Sequence, residues 1–108
     1  QVLIDVVYAI TSCIRLEDIL VRYGGEEFVV VVRDVPLAGA YRMGERVRET
    51  IAQLAIKAAR GVIRPTASFG CATLACCAEP TVATLIATVD RRLYEAKRRG
   101  RNCVVAEG

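Results

Sequence analysis

The chain has 108 residues, of which 54% are hydrophobic and 25% are charged, so the composition predicts one packed domain rather than a disordered segment. The net charge of +3 is too small to indicate a nucleic-acid partner by itself. The chain contains no histidine, which excludes Ser-His-Asp and Cys-His catalysis.

The first half of the chain predicts a helix, a hairpin and a second helix. Apolar residues in "QVLIDVVYAITSCI" recur at helical spacing, although no capping side chain precedes Gln1. The stretches "ILVRY" and "EFVVVV" predict two strands joined by Gly24 and Gly25, and the valine run predicts that the second strand is buried on both faces. Residues 37–59 show helical spacing again.

The second half predicts a strand, a helix and a closing strand. "TASFGCATLA" is the predicted third strand, and Gly70 within it indicates a bulge or a close approach of another backbone. The last helix opens at Glu79 and Pro80, carries a basic final turn and ends at Gly100. "NCVVAE" is the closing strand, so the expected order is α-β-β-α-β-α-β.

Two further features narrow the class of protein. No apolar run approaches the roughly 20 residues that cross a bilayer, and no stretch has the pattern of a signal peptide. The five cysteines are odd in number, irregularly spaced and without a C-x-x-C pair. They predict reduced thiols in a cytoplasmic protein rather than a disulfide framework or a zinc site.

An acidic pair stands at the tip of the predicted hairpin. Glu26 and Glu27 directly follow the two glycines, and adjacent carboxylates repel each other unless a cation lies beside them. Mg²⁺ is commonly bound by one or two carboxylates plus substrate phosphates, and glycines allow a nucleotide close to the backbone. The plainer alternative is a pair of solvated turn residues.

Three stretches together resemble one known family. "RYGGEEF", "TASFG" and "VDRRLYEAKRRGRN" occur in the order and spacing of the GGDEF domain of diguanylate cyclases, in its GGEEF form. The resemblance covers residues 1–108 and implies an α/β (α+β) fold. The implied architecture is a ferredoxin-like nucleotidyl-cyclase palm, with a mixed, largely antiparallel sheet flanked by helices.

The resemblance also implies a reaction. Family members join two GTP molecules into cyclic di-GMP and release two pyrophosphates, with one GTP on each subunit of a homodimer and Mg²⁺ or Mn²⁺ as cofactor. By this resemblance Glu26 activates or positions the attacking hydroxyl, and Glu27 binds the metal. These two residues are the expected catalytic pair.

Four more residues acquire substrate-binding roles by resemblance. Gly24 and Gly25 would lie against the nucleotide. Lys97 and Arg101 would contact its terminal phosphates, which a basic helix end suits. Without the resemblance, the two cations would be interpreted as a solvated basic helix terminus.

A second site is implied by "RLED", which is separated from Gly24 by five residues. In the family an Arg-x-x-Asp at this offset binds the product as an inhibitor, and here it corresponds to Arg15 and Asp18. The arginine guanidinium can donate two hydrogen bonds to guanine O6 and N7, and the aspartate carboxylate can accept hydrogen bonds from guanine N–H groups. Arg46 aligns with a secondary inhibitory arginine. The alternatives are a surface salt bridge for "RLED" and a solvated helix charge for Arg46.

The family domain begins with a strand and helix that have no counterpart in this sequence. That segment carries metal-binding and guanine-recognition residues, so we expect the 108 residues to be part of a longer parent and to be inactive alone. An upstream sensory or receiver domain is the expected partner, with no DNA and no membrane contact by this segment. The alternative functions are a catalytically silent cyclic di-GMP receptor and a structural domain with coincidental motifs.

Overall fold

A computed structural model describes residues 1–24 and 27–108. Within these residues, three α-helices, six short strands and one 3₁₀ turn follow one another along the chain. The helices are α1 (Val2–Cys13), α2 (Leu37–Ala52) and α3 (Val82–Arg98). The strands are β1 (Ile19–Gly24), β2 (Glu27–Val31), β3 (Ile56–Ala58), β4 (Gly61–Ile63), β5 (Phe69–Gly70) and β6 (Val104–Val105).

The predicted first hairpin is present, and β1 extends one residue further than expected, to Gly24. β1 and β2 pair antiparallel as far as Gly24, which lies opposite Glu27. Residues 25 and 26, between the two strands, lie outside the described residues. The expectation that β2 is buried on both faces is wrong, since its middle residues are only half-buried and Val31 is 48% exposed. In the described part of the chain, β2 pairs with β1 alone.

The second helix is shorter than the sequence predicts. α2 ends at Ala52, and β3 pairs antiparallel with β4 where the periodic pattern predicted a continuing helix. Gly61 has a φ of 128°, a conformation that glycine adopts without strain, and this allows the chain to reverse. Ile56, at the start of β3, is 5% exposed. Its burial and the pairing with β4 outweigh the local helical preference.

The predicted strand at residues 66–75 is also much shorter in the structure. Only Phe69–Gly70 forms a strand, which pairs parallel with β6. Leu74–Cys76 forms a 3₁₀ turn instead. The observed order is α-β-β-α-β-β-β-α-β, so the predicted order lacked the β3–β4 hairpin.

The main core lies where α1 and α2 pack against each other beside the first hairpin. Its buried members are Ala9, Ile10, Val47 and Ile51. Half-buried residues of both strands complete it, among them Leu20, Phe28 and Val30. Apolar positions three and four apart on each helix therefore provide the faces that meet. None of the helices formed by residues 1–24 and 27–108 is both long and apolar enough to span a membrane.

The last helix is fixed at its beginning and along one side. Thr81 caps α3 by accepting from the Thr84 backbone N–H, and the Thr84 hydroxyl accepts from the Thr81 N–H in return. α3 packs on β5 and β6. The predicted close approach at Gly70 is confirmed, because a Cβ there would lie 2.4 Å from the Val89 carbonyl oxygen and 2.5 Å from the Leu93 nitrogen.

Candidate functional site

A cavity of about 260 Å³ lies between the first hairpin and α3. Glu27, the first residue of β2, lines it from the hairpin side. Lys97, in the final turn of α3, lines it from the helix side. Two residues that are 70 positions apart in the sequence, and that were predicted to bind metal and phosphate, therefore share one cavity.

Three other α3 residues line this cavity, and the sequence analysis assigned them no role in the site. They are Asp90, Leu93 and Tyr94. With Lys97 they occupy positions i, i+3, i+4 and i+7, which lie on one face of a helix. That spacing, counted back from Lys97, would have identified them once the cavity was known. Tyr94 is 69% exposed, so a large aromatic side chain is available at the cavity rim.

The basic residues at the end of α3 are not equivalent. Glu95 Oε1 lies 2.7 Å from Arg98 Nη2 and 3.2 Å from Arg99 Nε, so one carboxylate pairs with both guanidinium groups. The hydrogen bond from Arg98 lowers the pKa of Glu95 to about 2, and Arg99 acts in the same direction. Lys97 forms no ion pair with a carboxylate of the described residues and remains available to an anionic ligand.

Arg101 lies just beyond the end of α3, in a turn of unusual backbone conformation. Gly100, Arg101 and Asn102 have φ angles of 112°, 66° and 51°. The Gly100 and Arg101 N–H groups donate to the carbonyls of Lys97 and Ala96, the pattern of a Schellman helix end. We call residues 100–102 the left-handed turn. Arg101 is exposed and does not line the cavity that Lys97 lines.

Gly25 and Glu26 lie outside the described residues. Gly24, the last residue of β1, lies opposite Glu27 in the hairpin pairing. The backbone of Gly24 therefore lies beside Glu27, the β2 residue that lines the smaller cavity.

A second cavity, of about 510 Å³, lies between the end of α1, the segment after β2 and the beginning of α2. Arg15 and Arg46, both predicted for the inhibitory site, line it together. Arg42 also lines it, one helical turn before Arg46 on α2. The sequence analysis did not single out Arg42, although its spacing from Arg46 places both side chains on one helix face. The cavity also contains one acidic residue, Asp34.

The predicted partner of Arg15 occupies a different position. Asp18 does not line the larger cavity. Its Oδ2 accepts a hydrogen bond of 2.8 Å from the backbone nitrogen of Arg15, and its own nitrogen donates to the Arg15 carbonyl. Asp18 therefore holds the backbone of the turn from which Arg15 projects. The side chain of Arg15 is exposed and lies 4.0 Å from Glu17, too loose a pair to immobilise it.

The smaller cavity has ligands suited to a metal ion that binds together with a phosphate-bearing substrate. Glu27 and Asp90 provide two carboxylates, and Lys97 provides a positive charge for phosphate. Mg²⁺ usually takes one or two protein carboxylates and completes its shell with water and substrate phosphates. A metal site formed by protein ligands alone would need more of them. No group of three or more histidine, cysteine, aspartate or glutamate residues that could hold a metal ion is found in residues 1–24 and 27–108. The residues present fit Mg²⁺ bound together with a nucleotide.

The fold and this cavity define a class: a nucleotidyl-cyclase palm with an acidic residue and a lysine on facing elements. The model of the family "Diguanylate cyclase, GGDEF domain" matches residues 1–103. The chain belongs to the GGDEF family.

Comparisons with individual proteins support the assignment to this family. The response regulator PleD of Caulobacter vibrioides is 36% identical over 109 residues, which is 99% of this chain and 24% of PleD. The chain thus spans about a quarter of the length of this relative. The structure of diguanylate cyclase SiaD with its activator SiaC from Pseudomonas aeruginosa matches at a TM-score of 0.80 and 28% identity, covering 97% of this chain and 40% of SiaD.

A third comparison concerns the fold alone. The GGDEF domain of YfiN from Pseudomonas aeruginosa matches at a TM-score of 0.80 and 23% identity, over 99% of this chain and 66% of that one. The predicted α/β class and cyclase palm are therefore confirmed.

Proposed function

We propose that this chain is the catalytic part of a diguanylate cyclase, which condenses two GTP molecules into cyclic di-GMP. The observation that carries the proposal is the shared cavity of Glu27 and Lys97, in a chain of the GGDEF family. A carboxylate and an ammonium group facing one cavity suit a metal-bound polyphosphate. The carboxylate would hold the metal, and the ammonium would hold the terminal phosphates.

The reaction follows from the substrates. The 3′-hydroxyl oxygen of one GTP forms a bond to the α-phosphorus of the other and loses its proton to water. The bond from that phosphorus to the bridging oxygen of the β-phosphate breaks. Pyrophosphate leaves, and the same exchange in the opposite direction closes the ring. Because each subunit would hold one GTP, the reaction requires two copies facing each other. When bound, Mg²⁺ or Mn²⁺ would neutralise charge on the phosphates.

Each residue then has one task. Glu27 would hold the metal that accompanies GTP, and Glu26 would activate or position the attacking hydroxyl. Gly24 and Gly25 allow the nucleotide to lie against the hairpin backbone. Lys97 and Arg101 bind the β- and γ-phosphates, on which negative charge accumulates as pyrophosphate leaves. The GTP substrate fits a cytoplasmic location.

The Glu27→Gln variant tests the proposal. In a protein that carries the whole cyclase domain, this change should abolish cyclic di-GMP formation from GTP and Mg²⁺, because an amide replaces the anionic metal ligand. Folding should be retained, since Glu27 is exposed. The measurement is chromatography of the reaction products. Glu79→Gln removes an exposed carboxylate outside both cavities and is the matched control. Undiminished product from Glu27→Gln would contradict the metal assignment.

The second cavity favours a second function, as a binding site for the product. Three arginines, Arg15, Arg42 and Arg46, line one space of about 510 Å³. Guanidinium groups bind both phosphates and the O6 and N7 edge of guanine, the two parts of cyclic di-GMP. In an active enzyme this site would give feedback inhibition, and in a silent one it would make the protein a receptor. Cyclic di-GMP binding without turnover of GTP distinguishes the receptor.

A further inference from the structure

The left-handed turn places an arginine in a conformation that arginine rarely adopts. A φ of 66° is without penalty for glycine, but it is unfavourable for a residue with a side chain. Such a conformation persists when the surrounding contacts hold it. The Schellman hydrogen bonds fix the turn on the side of α3.

The residue after Arg101 is held by two other elements. The Asn102 backbone nitrogen donates to the Ser68 hydroxyl oxygen at 3.0 Å, and Ser68 directly precedes β5. The Asn102 Oδ1 accepts from Arg48 Nη1 at 3.2 Å, and Arg48 belongs to α2. We call these three residues the Asn102 clasp. It joins the left-handed turn to two elements that are distant in the sequence.

Arg48 is oriented before it reaches the turn. Its Nε and Nη2 donate to the two carboxylate oxygens of Glu45 at 2.9 and 3.2 Å, a bidentate pair. The Arg48 side chain is only 19% exposed, and α2 is anchored by the buried residues Val47 and Ile51. The remaining nitrogen, Nη1, is thereby directed to Asn102 rather than to solvent.

We propose that the Asn102 clasp positions Arg101 for the terminal phosphates of the nucleotide, with Arg48 and Ser68 as positioning residues that do not touch it. This inference rests on the proposed function. Arg101 lies between the hydrogen bonds that end α3 and those that hold Asn102. With both neighbours fixed, the guanidinium side chain starts from a defined backbone position just after α3, and less conformational freedom is lost when phosphate binds.

The test compares GTP with GMP, which lacks the β- and γ-phosphates. In the full-length protein, Ser68→Ala and Arg48→Lys should each weaken Mg²⁺-GTP binding by about three- to tenfold, since each loses one hydrogen bond to Asn102. GMP binding should stay unchanged, because Arg101 contacts only the terminal phosphates. Calorimetric titration measures both ligands. Ser68→Thr, which keeps the hydroxyl, should restore GTP affinity.

The matched control is Arg98→Gln. It removes an exposed charge close to Lys97, but Arg98 pairs with Glu95 and has no part in the clasp. Its affinity for GTP should change by less than twofold. Equal weakening of GTP and GMP in Ser68→Ala and Arg48→Lys would overturn the inference in favour of a general packing role. Unchanged GTP affinity in both would overturn it as well.

A double-mutant comparison separates this inference from the proposed function. Arg101→Ala alone should weaken GTP binding, and adding Ser68→Ala to it should cause no further loss, because the positioned side chain is gone. Additive losses would overturn the positioning role while leaving the phosphate role of Arg101 intact. Unchanged GTP binding in Arg101→Ala would remove that phosphate role and the inference with it. Absence of GTP binding in the wild-type protein would contradict the proposed function itself.

Discussion

At the scale of single residues, Gly70 determines how closely β5 can approach α3. The space that a Cβ would need at Gly70 is occupied by backbone atoms of Val89, Arg92 and Leu93, all within 3.0 Å. Backbone atoms within a helix cannot move aside individually, so a side chain here would displace α3 as a unit. That displacement would also move the helix face that lines the smaller cavity.

Gly70→Ala should therefore destabilise the fold, by about 1–3 kcal/mol as for other overpacked sites. Gly44→Ala is the matched control, since its new Cβ would meet only side-chain atoms, the nearest at 3.2 Å from Val104 Cγ1. Alanine also favours the helix at that position, so Gly44→Ala should be nearly neutral. Denaturant unfolding followed by circular dichroism measures both. Equal stability of wild type and Gly70→Ala would show that α3 moves away without penalty.

At the scale of elements, ion pairs at the end of α3 engage some of its basic residues and not others. Glu95 pairs with Arg98 and Arg99, while Lys97, on the cavity face, has no acidic partner among the described residues. Basic residues in the last turn also interact favourably with the helix dipole. The helix end thus has one face on which Glu95 pairs with two arginines, and another face whose lysine is available to phosphate.

The Glu95 pairing makes a pH-dependent contribution to stability. The Arg98 hydrogen bond lowers the pKa of Glu95 from about 4.5 to about 2. A carboxyl whose pKa is lower in the folded state stabilises the fold above its unfolded pKa, and this stabilisation is lost as the pH falls through the folded value. Wild type should exceed Glu95→Gln in stability at pH 7, and the difference should shrink between about pH 4.5 and pH 2.

Unfolding midpoints of the two proteins across this pH range measure that difference. Glu79→Gln, which removes an exposed glutamate without an ion pair to the described residues, controls for the loss of a negative charge. A difference between wild type and Glu95→Gln that is independent of pH would mean that the ion pairs contribute nothing. Added salt should reduce the difference, because these groups are largely exposed.

At the scale of the whole molecule, the two cavities are built from separate parts of the chain. Among the residues that the structure describes, none lines both of them. The smaller one lies between β2 and α3, and the larger one lies between the ends of α1 and β2 and the start of α2. β1 runs from the turn that carries Arg15 to the motif, and a strand of this length spans roughly 17 Å. A ligand in one cavity should therefore act on the other only indirectly.

Arg15→Ala tests this separation. The variant should bind cyclic di-GMP about tenfold to a hundredfold more weakly, since a bidentate guanine contact contributes about 1–3 kcal/mol. GTP binding should be unchanged, and an active enzyme should lose feedback inhibition. Calorimetric titration of both ligands is the measurement. Arg60→Ala, an exposed arginine outside both cavities, is the matched control. Wild-type affinity for cyclic di-GMP in Arg15→Ala would remove Arg15 from the site.

The sequence by itself predicted the features that depend on neighbouring residues. The first hairpin followed from two glycines between apolar runs, and α3 followed from apolar spacing with Gly100 at its end. The family motifs also singled out Glu27, Lys97, Arg15 and Arg46, each of which lines one of the two cavities. The elements were predictable because turn geometry and helical period act over a few residues.

Only the tertiary structure decided the features that depend on distant partners. Residues 53–59 have a helical pattern, yet pairing with β4 and burial of Ile56 produce a hairpin there. Asn102 meets Arg48 across 54 positions and Ser68 across 34, and Glu27 shares a cavity with the face of α3. No local preference encodes such contacts. Their free energy is gained only when packing brings the separated segments together.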